Sequence, residues 1–242
     1  MATLLEQVID AYGGMELWRS VNSLAVRVSF GGLAFASRFK GARHDQRLEI
    51  STGEPQVVFE EYPRPDQRGI FTPDRVWIET GGEIIAERTS PRAAFRALRR
   101  QFWWDDLDLL YFAGYASWNY FNTPFLLAAD GVETDELETW QEQGESWRRL
   151  AVYFPETIPT HSRWQTFYFD EHFHLRRFDY EPEVYASWAR AAHYCFDQKE
   201  FSGLLVPTKR RVFPRTPSGR SLPRPTLVWI EVHDVILKKG SS

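Results

Sequence analysis

Hydrophobic residues are most concentrated between Phe102 and Leu127, in the run FWWDDLDLLYFAGYASWNYFNTPFLL. Asp105 or Asp106 can accept hydrogen bonds from free backbone N–H groups and so start a helix. Pro124 ends it, because proline has no N–H and drives Thr123 out of the helical region. The residues between are apolar on nearly every side, which predicts a helix buried all round rather than a membrane span, since polar residues interrupt the run.

Alternation with a period of two dominates the rest of the chain. Leu24, Val26, Val28 and Phe30 alternate with polar or small residues, as in a half-buried strand. Similar segments recur at about ten-residue spacing, separated by Gly, Pro and Asp turn signals, which is typical of a barrel or a strongly curved sheet. We predict about eleven strands, and residues 35–40 are among the segments that we assign to a strand.

Apart from the long apolar run, helical patterns appear in two places. Residues 3–18 carry an apolar stripe behind Thr3, a candidate N-cap with Glu6 three residues on, and Gly13-Gly14 breaks or caps this helix. Ser90-Pro91 starts further helix just before the long apolar run. The predicted fold is therefore mainly β (α+β), a curved antiparallel sheet or incomplete β-barrel wrapped around a central helical insertion. We expect one domain spanning 1–242, with the concave face of the sheet hidden from solvent.

Aromatic residues make up 16% of the chain, with 10 Trp, 10 Tyr and 18 Phe. Trp and Tyr carry donors that need partners when they are buried, so such an excess indicates either a thick core or an apolar ligand cavity. The residues that we predict to contact a ligand are Trp103, Trp104, Tyr111, Tyr115, Trp118, Tyr120, Phe178 and Tyr194.

The charge pattern gives no sign of a nucleic-acid partner, because the net charge is -4 and the pI is near 5.9. Basic residues cluster locally at Lys209, Arg210, Arg211 and Arg215. Such a run is usually a solvated face, and an anionic-ligand site is the alternative. The partner that we expect is a hydrophobic small molecule, and the pattern does not indicate an oligomeric state.

The compartment can be predicted from cysteine usage and from the N-terminal segment. Cys195 is the only cysteine, so no internal disulfide can form, which is typical of a reducing compartment. The first residues lack the basic and apolar blocks of a signal peptide, so we expect a cytoplasmic location without stable membrane insertion. Nucleotide, dinucleotide and zinc-finger motifs are missing from the sequence, and no cofactor is expected.

Four residues are candidates for catalysis: His161, His193, Arg176 and Tyr180. The two histidines are suited to proton transfer near neutral pH, although each could equally be a hydrogen-bonded structural residue. Strand alternation places Arg176 on the inward face with Phe178 and Tyr180. A buried arginine needs either a carboxylate, such as Asp106 or Asp108, or an anionic ligand.

Two further groups of residues carry weaker signals. His172 and His174 lie on one side of a strand end at a spacing that can ligate a metal, but a clear third ligand is missing, so no metal site is predicted. Cys195 lies on the same strand face as His193, and a nucleophilic thiol would need such a base beside it. A buried apolar role is more common for a lone cysteine.

Several segments resemble a known superfamily. FYFDEHFHLRRFDYEP and LLVPTKRRVFPR, together with the order of elements, resemble the LolA/LolB lipoprotein carriers, and GIFTPDRV and LLYFAGYASWNY more closely resemble cytoplasmic bacterial proteins of unassigned function. The resemblance implies a LolA-like fold, whose known carriers bind acyl chains and which also includes a cofactor-free enzyme of violacein synthesis.

Two functions that involve a ligand stay open at the level of sequence, beside a third, a scaffold or interaction protein with a solid core, because a fold alone does not decide function. In the first, the cavity between the sheet and the central helix binds an apolar or aromatic small molecule or an acyl chain. In the second, the protein is a cofactor-independent isomerase, cyclase or lyase. His161 or His193 would then serve as acid or base, while Arg176 and Tyr180 would stabilise negative charge.

Overall fold

The computed structural model describes residues 2–185 and 189–240, and within them thirteen strands form one antiparallel sheet. The sheet order is β6-β5-β4-β3-β2-β1-β13-β12-β11-β10-β9-β8-β7. Strands β6 and β7 lie at opposite edges without pairing, so the sheet is not closed into a barrel. The strands are β1 Val21–Gly31, β2 Arg43–Ser51, β3 Val57–Glu60, β4 Gln67–Phe71, β5 Arg75–Thr80, β6 Glu83–Thr89, β7 Glu133–Glu142, β8 Glu145–Tyr153, β9 Trp164–Phe169, β10 Leu175–Tyr180, β11 Ala191–Phe201, β12 Leu204–Pro214 and β13 Val228–Lys239.

The same residues contain five α-helices and two short 3₁₀ turns. They are α1 Leu4–Ala11, α2 Gly14–Arg19, α3 Leu33–Ala36, α4 Pro91–Ala94 and α5 Asp106–Asn122, with 3₁₀ turns at Leu98–Gln101 and Phe125–Ala128. Helix α5 lies nearest to strands β2 to β6. Its Tyr120 ring also packs against Phe178 of β10 and His193 of β11. Since both halves of the sheet contact one helix, the sheet curves around α5.

Helix α5 begins and ends where the sequence predicts. The Asp105 carboxylate accepts from the N–H of Asp108 at 2.8 Å, and the Asp108 carboxylate accepts from the N–H of Asp105 at 3.1 Å. Thr123 is the C-cap, followed by Pro124. Asp108 is fully buried, and Arg88 and Arg100 donate to it at 2.7 and 2.6 Å. All but two of the helix residues are buried, in agreement with the prediction of an enclosed helix.

Glycine allows α5 to approach the sheet closely. A Cβ built on Gly114 would lie 2.5 Å from both Cβ and Cγ of Phe71 on β4. Any other residue at this position would push the helix and the strand apart, because protein interiors leave no spare volume at such contacts. Gly114 therefore fixes the distance between the central helix and the first half of the sheet.

One predicted strand is absent from the structure, and the N-terminal helical segment divides where it is expected to. Residues 35–40 do not form a strand: α3 closes a helical turn, with Ala36 N–H donating to Gly32 C=O at 3.0 Å. Ala34, Phe35 and Arg38 are buried while Phe39 is exposed, and this spacing of three to four is helical rather than period two. The helical segment 3–18 divides at Gly13, which has φ of 109°, as its glycine pair predicts, and the Thr3–Glu6 capping box is present.

The prediction that Arg176 points inward is wrong because β10 contains a bulge. Leu175 pairs with Phe169 and Arg177 pairs with the adjacent Tyr168, so Arg176 is an extra residue on its strand. The guanidinium of Arg176 lies on the outer face near Asp170, at 3.4 Å, and not near Asp106 or Asp108. Its neighbour Arg177 also lies on the outer face, as simple alternation predicts, but it is fully buried. The rings of Trp140, Tyr168 and Tyr194 cover it, and we call this group the outer-face cluster.

Candidate functional site

A chain of buried aromatic hydrogen bonds connects α5 to the far half of the sheet. His161 lies in the loop before β9 and is only 2% exposed. Tyr115 and Tyr120 of α5 place their hydroxyls at 2.9 Å from its Nδ1 and at 2.6 Å from its Nε2. The imidazole stacks on the Tyr180 ring with centroids 4.1 Å apart. Both ring nitrogens are therefore occupied by tyrosine hydroxyls.

The same chain continues to His193 of β11. Tyr120 and Tyr180 bring their hydroxyls within 3.3 Å of each other, and the Tyr180 hydroxyl lies 3.5 Å from His193 Nδ1. His193 stacks on Phe178 at 4.2 Å, and its Nε2 has no hydrogen-bond partner among the described residues. The structure thus links the two candidate histidines through two tyrosines, a juxtaposition that the sequence does not reveal.

Burial keeps all five side chains of this hydrogen-bonded series neutral. It lowers the pKa of His161 to about 3, with a smaller contribution from the positive charge of Arg92. Burial lowers the pKa of His193 well below its ordinary value, and Arg210 lowers it further. The pKa values of Tyr115, Tyr120 and Tyr180 are all raised by the same loss of hydration. At neutral pH the hydrogen bonds of this series can reverse their direction or relay a proton, but His161 is a weak base.

A cavity of about 70 Å³, which we call the α5 cavity, lies between α5 and the inner face of the sheet. Its walls are almost entirely apolar; the polar side chains are Ser117, Tyr120, His161, Tyr180, Arg190 and Arg210. Among the residues that line it are Ala113, Ala116 and Tyr120 of α5, Val28 and Phe30 of β1, Arg210 and Val212 of β12, and Val228 and Ile230 of β13. Val228 and Ile230 are only half-buried, which indicates that the cavity approaches the protein surface between β13 and Tyr185.

The α5 cavity contains only some of the residues predicted to contact a ligand or to act in catalysis. Tyr120, His161 and Tyr180 line it. Five others are buried elsewhere in the core: Trp104, Tyr111, Tyr115, Trp118 and Phe178. Trp103 is 41% exposed, and Tyr194 packs with Trp147 and Tyr168 on the outer face of the sheet. His193 lies behind Tyr120 and Phe178, and Arg176 is on the outer face.

Arg210 lines the cavity but is not among the predicted site residues, although its basic cluster has an anionic-ligand site as the alternative. The prediction of a solvated basic run is wrong for this position, because Arg210 is 2% exposed. The signal was present in the alternation of the second half of β12, where Thr208, Arg210 and Val212 are buried and Lys209 and Arg211 are only half-buried. Pairing of Arg210 with Cys195 and Ile230 places it on the inner face. His193 and Cys195 share that face, as expected from their spacing.

A second, larger cleft of about 730 Å³ lies beside α4. Its walls carry charges of both signs, including Arg92, Arg96, Asp74 and Glu183. Arg92 donates to the Thr160 carbonyl at 2.9 Å and to Glu183 at 3.0 Å. Two pairs of opposite charge in this cleft are therefore already formed, Arg92 with Glu183 and Arg163 with Glu156.

The described residues contain neither a metal-binding cluster nor a helix that could span a membrane. Among residues 2–185 and 189–240, no group of three or more His, Cys, Asp or Glu side chains is arranged to hold a metal ion. The rings of His172 and His174 lie 5.8 Å apart between centroids and are tilted by 47°, without a third ligand among the described residues. None of the helices described is both long enough and apolar enough to cross a bilayer.

The fold is similar to solved structures of LolA-type proteins. A LolA superfamily protein from Nitrosomonas europaea has a TM-score of 0.55 at 11% identity, covering 99% of this chain and 96% of its own. A DUF1329 family protein from Desulfovibrio piger has a TM-score of 0.52 at 11% identity, covering 100% and 96%. Identities this low establish the LolA-like fold alone. No protein-family model and no curated protein sequence matches the chain.

Proposed function

We propose that this protein binds a hydrophobic small molecule, either an aromatic compound or a single acyl chain, in the α5 cavity. The observation that carries the proposal is an apolar cavity enclosed between the central helix and the curved sheet. Ligand sites of soluble proteins are typically concave and mostly apolar, with a few polar groups that fix orientation. The cytoplasmic location and the lack of a nucleic-acid partner stay predictions from the sequence.

The volume of the cavity sets a condition on binding. An engineered apolar cavity of about 150 Å³ binds benzene, whereas this one measures about 70 Å³. A ligand larger than a few atoms must therefore displace side chains as it binds. Tyr185, Leu227, Val228 and Ile230 are the lining residues best placed to move, because they are only half-buried.

Filling the cavity is expected to block binding. Ala116 is buried and lines the cavity, so Ala116→Leu occupies the space with three additional carbon atoms. We expect affinity for 1-dodecanol or 2-naphthol to fall by roughly tenfold or more, since the ligand must then displace a packed side chain. Native mass spectrometry of the purified protein with each compound measures the bound fraction.

The matched control is Ala97→Leu, the same substitution at an exposed position. It should bind both compounds as the wild type does. Binding of neither compound by the wild type, or equal binding by Ala116→Leu and the wild type, would contradict the proposal. Circular dichroism of both variants verifies that the fold is retained.

The hydrogen-bonded tyrosines and histidines beside the cavity favour a second candidate function, a cofactor-independent isomerase, cyclase or lyase. Tyr120, His161 and Tyr180 all line the cavity, so a bound molecule would lie against a hydrogen-bonded relay. The lowered pKa of His161 makes it a poor base, and the binding function is therefore preferred.

A ligand recovered from the protein tests this second candidate. Incubation with the wild type should convert the ligand to a product detectable by NMR, and His161→Gln and His193→Gln should lose the conversion while retaining binding. Unchanged ligand after incubation with the wild type, or full conversion by both variants, rules out an enzyme that uses these histidines.

A further inference from the structure

Arg210 is a buried cation without an anionic partner. Its Nη1 donates to the Sγ atom of Cys195 at 3.3 Å and its Nη2 donates to the carbonyl oxygen of Tyr120 at 3.1 Å. Within the part of the chain that the structure describes, its Nε has no hydrogen-bond partner and no carboxylate pairs with it. The other fully buried arginine, Arg177, pairs with both Asp179 and Glu142.

The contact with Tyr120 holds the guanidinium at the end of α5. The Tyr120 carbonyl lacks its usual helical donor, because that donor would be the N–H of Pro124. Arg210 satisfies this carbonyl and lies at the negative end of the helix dipole. The helix end carries only about half a unit of charge, so it positions the cation without neutralising it.

The neighbouring ionisable groups do not supply the missing charge. Burial raises the pKa of the Cys195 thiol, so it is protonated at neutral pH. Burial also raises the pKa of Tyr120 well above its ordinary value, which keeps the phenol neutral. An arginine stays protonated under all physiological conditions, and an isolated buried charge is costly. The site therefore favours an anion from outside the chain.

We propose that the ligand of the α5 cavity is an apolar carboxylic acid whose carboxylate binds Arg210. The inference rests on the proposed function, since it assigns the chemistry of one end of the same ligand. Arg210 lines the cavity, and a carboxylate has the planar, two-oxygen geometry that a guanidinium binds best. The hydroxyls of Tyr120 and Tyr180, which line the same space, can donate further hydrogen bonds to it. The hydrocarbon part lies against the apolar walls.

The test compares two probes that share one tail, dodecanoic acid and 1-dodecanol, by titration calorimetry at neutral pH. We expect the wild type to bind the acid roughly ten- to a hundredfold more tightly, because hydrogen bonds to charged groups are the strong ones. Arg210→Gln should lose this preference and bind the two probes equally. Arg211→Gln is the matched control, because Arg211 lies on the opposite strand face and should retain the preference.

The outcomes separate this inference from the function on which it rests. Equal affinities of the wild type for acid and alcohol, or an acid preference that survives in Arg210→Gln, would overturn the role of Arg210 but leave hydrophobic binding intact. Binding of neither probe would overturn this inference together with the acyl-chain form of the proposed function, and the aromatic form would then depend on the result with 2-naphthol. The wild-type comparison needs no variant, so it decides the matter even if Arg210→Gln folds poorly.

Discussion

Arg177→Met is expected to lower the free energy of unfolding by about 3 to 5 kcal/mol, as is usual when one partner of a buried ion pair is removed. Arg177 is fully buried on the outer face of the sheet. Its Nε and Nη2 donate to Asp179 at 2.7 and 2.8 Å, and its Nη1 donates to Glu142 at 2.6 Å. The substitution leaves both carboxylates beneath the outer-face cluster without their main counter-ion.

The adjacent Arg176 provides the control on the same strand. Its side chain is one third exposed and its ion pairs, with Asp170 and Glu145, are 3.4 and 3.5 Å long. Surface pairs of this kind contribute about 1 kcal/mol or less, so Arg176→Met should change stability little. Urea denaturation of the two variants measures the difference. Equal losses for both would show that Arg177 does not hold the outer-face cluster together.

Acid should destabilise the protein through its buried histidines. The pKa of His161 is 6.5 when unfolded and about 3 when folded. Between these values the unfolded chain binds the proton and the folded chain does not, so stability falls as the pH is lowered. The contribution is fully present above pH 6.5 and declines by about 1.4 kcal/mol per pH unit. From pH 6.5 to pH 4 His161 alone accounts for about 3 kcal/mol, and His193 acts in the same direction.

Urea denaturation at a series of pH values tests this expectation. His161→Gln should lose about 3 kcal/mol less than the wild type between pH 6.5 and pH 4, even though the variant is less stable at pH 7. His172→Gln is the control, because the side chain of His172 is 71% exposed, and its loss should equal that of the wild type. A wild-type slope that persists in His161→Gln would mean that His161 is protonated in the folded protein.

The sequence by itself determined the elements that depend on local chemistry. The Asp105–Asp108 capping box, Pro124 and the apolar run between them define α5, because each acts over one or two helical turns. Period-two alternation located most of the strands, including the inner face of β1. The composition also indicated the aromatic interior. These features depend only on interactions between residues that are close in sequence, so they can be predicted without knowledge of the tertiary structure.

Only the tertiary structure decided which side chains meet in the site. Tyr115 and Tyr120 approach His161 across 46 and 41 residues of chain, and Arg210 reaches the Tyr120 carbonyl across 90. A single extra residue in β10 moved Arg176 from the expected inner face to the outer face, which it shares with Arg177, since a bulge shifts the side-chain alternation. Long-range pairing register sets these contacts, and register depends on the packing of the whole sheet around α5 rather than on any local signal.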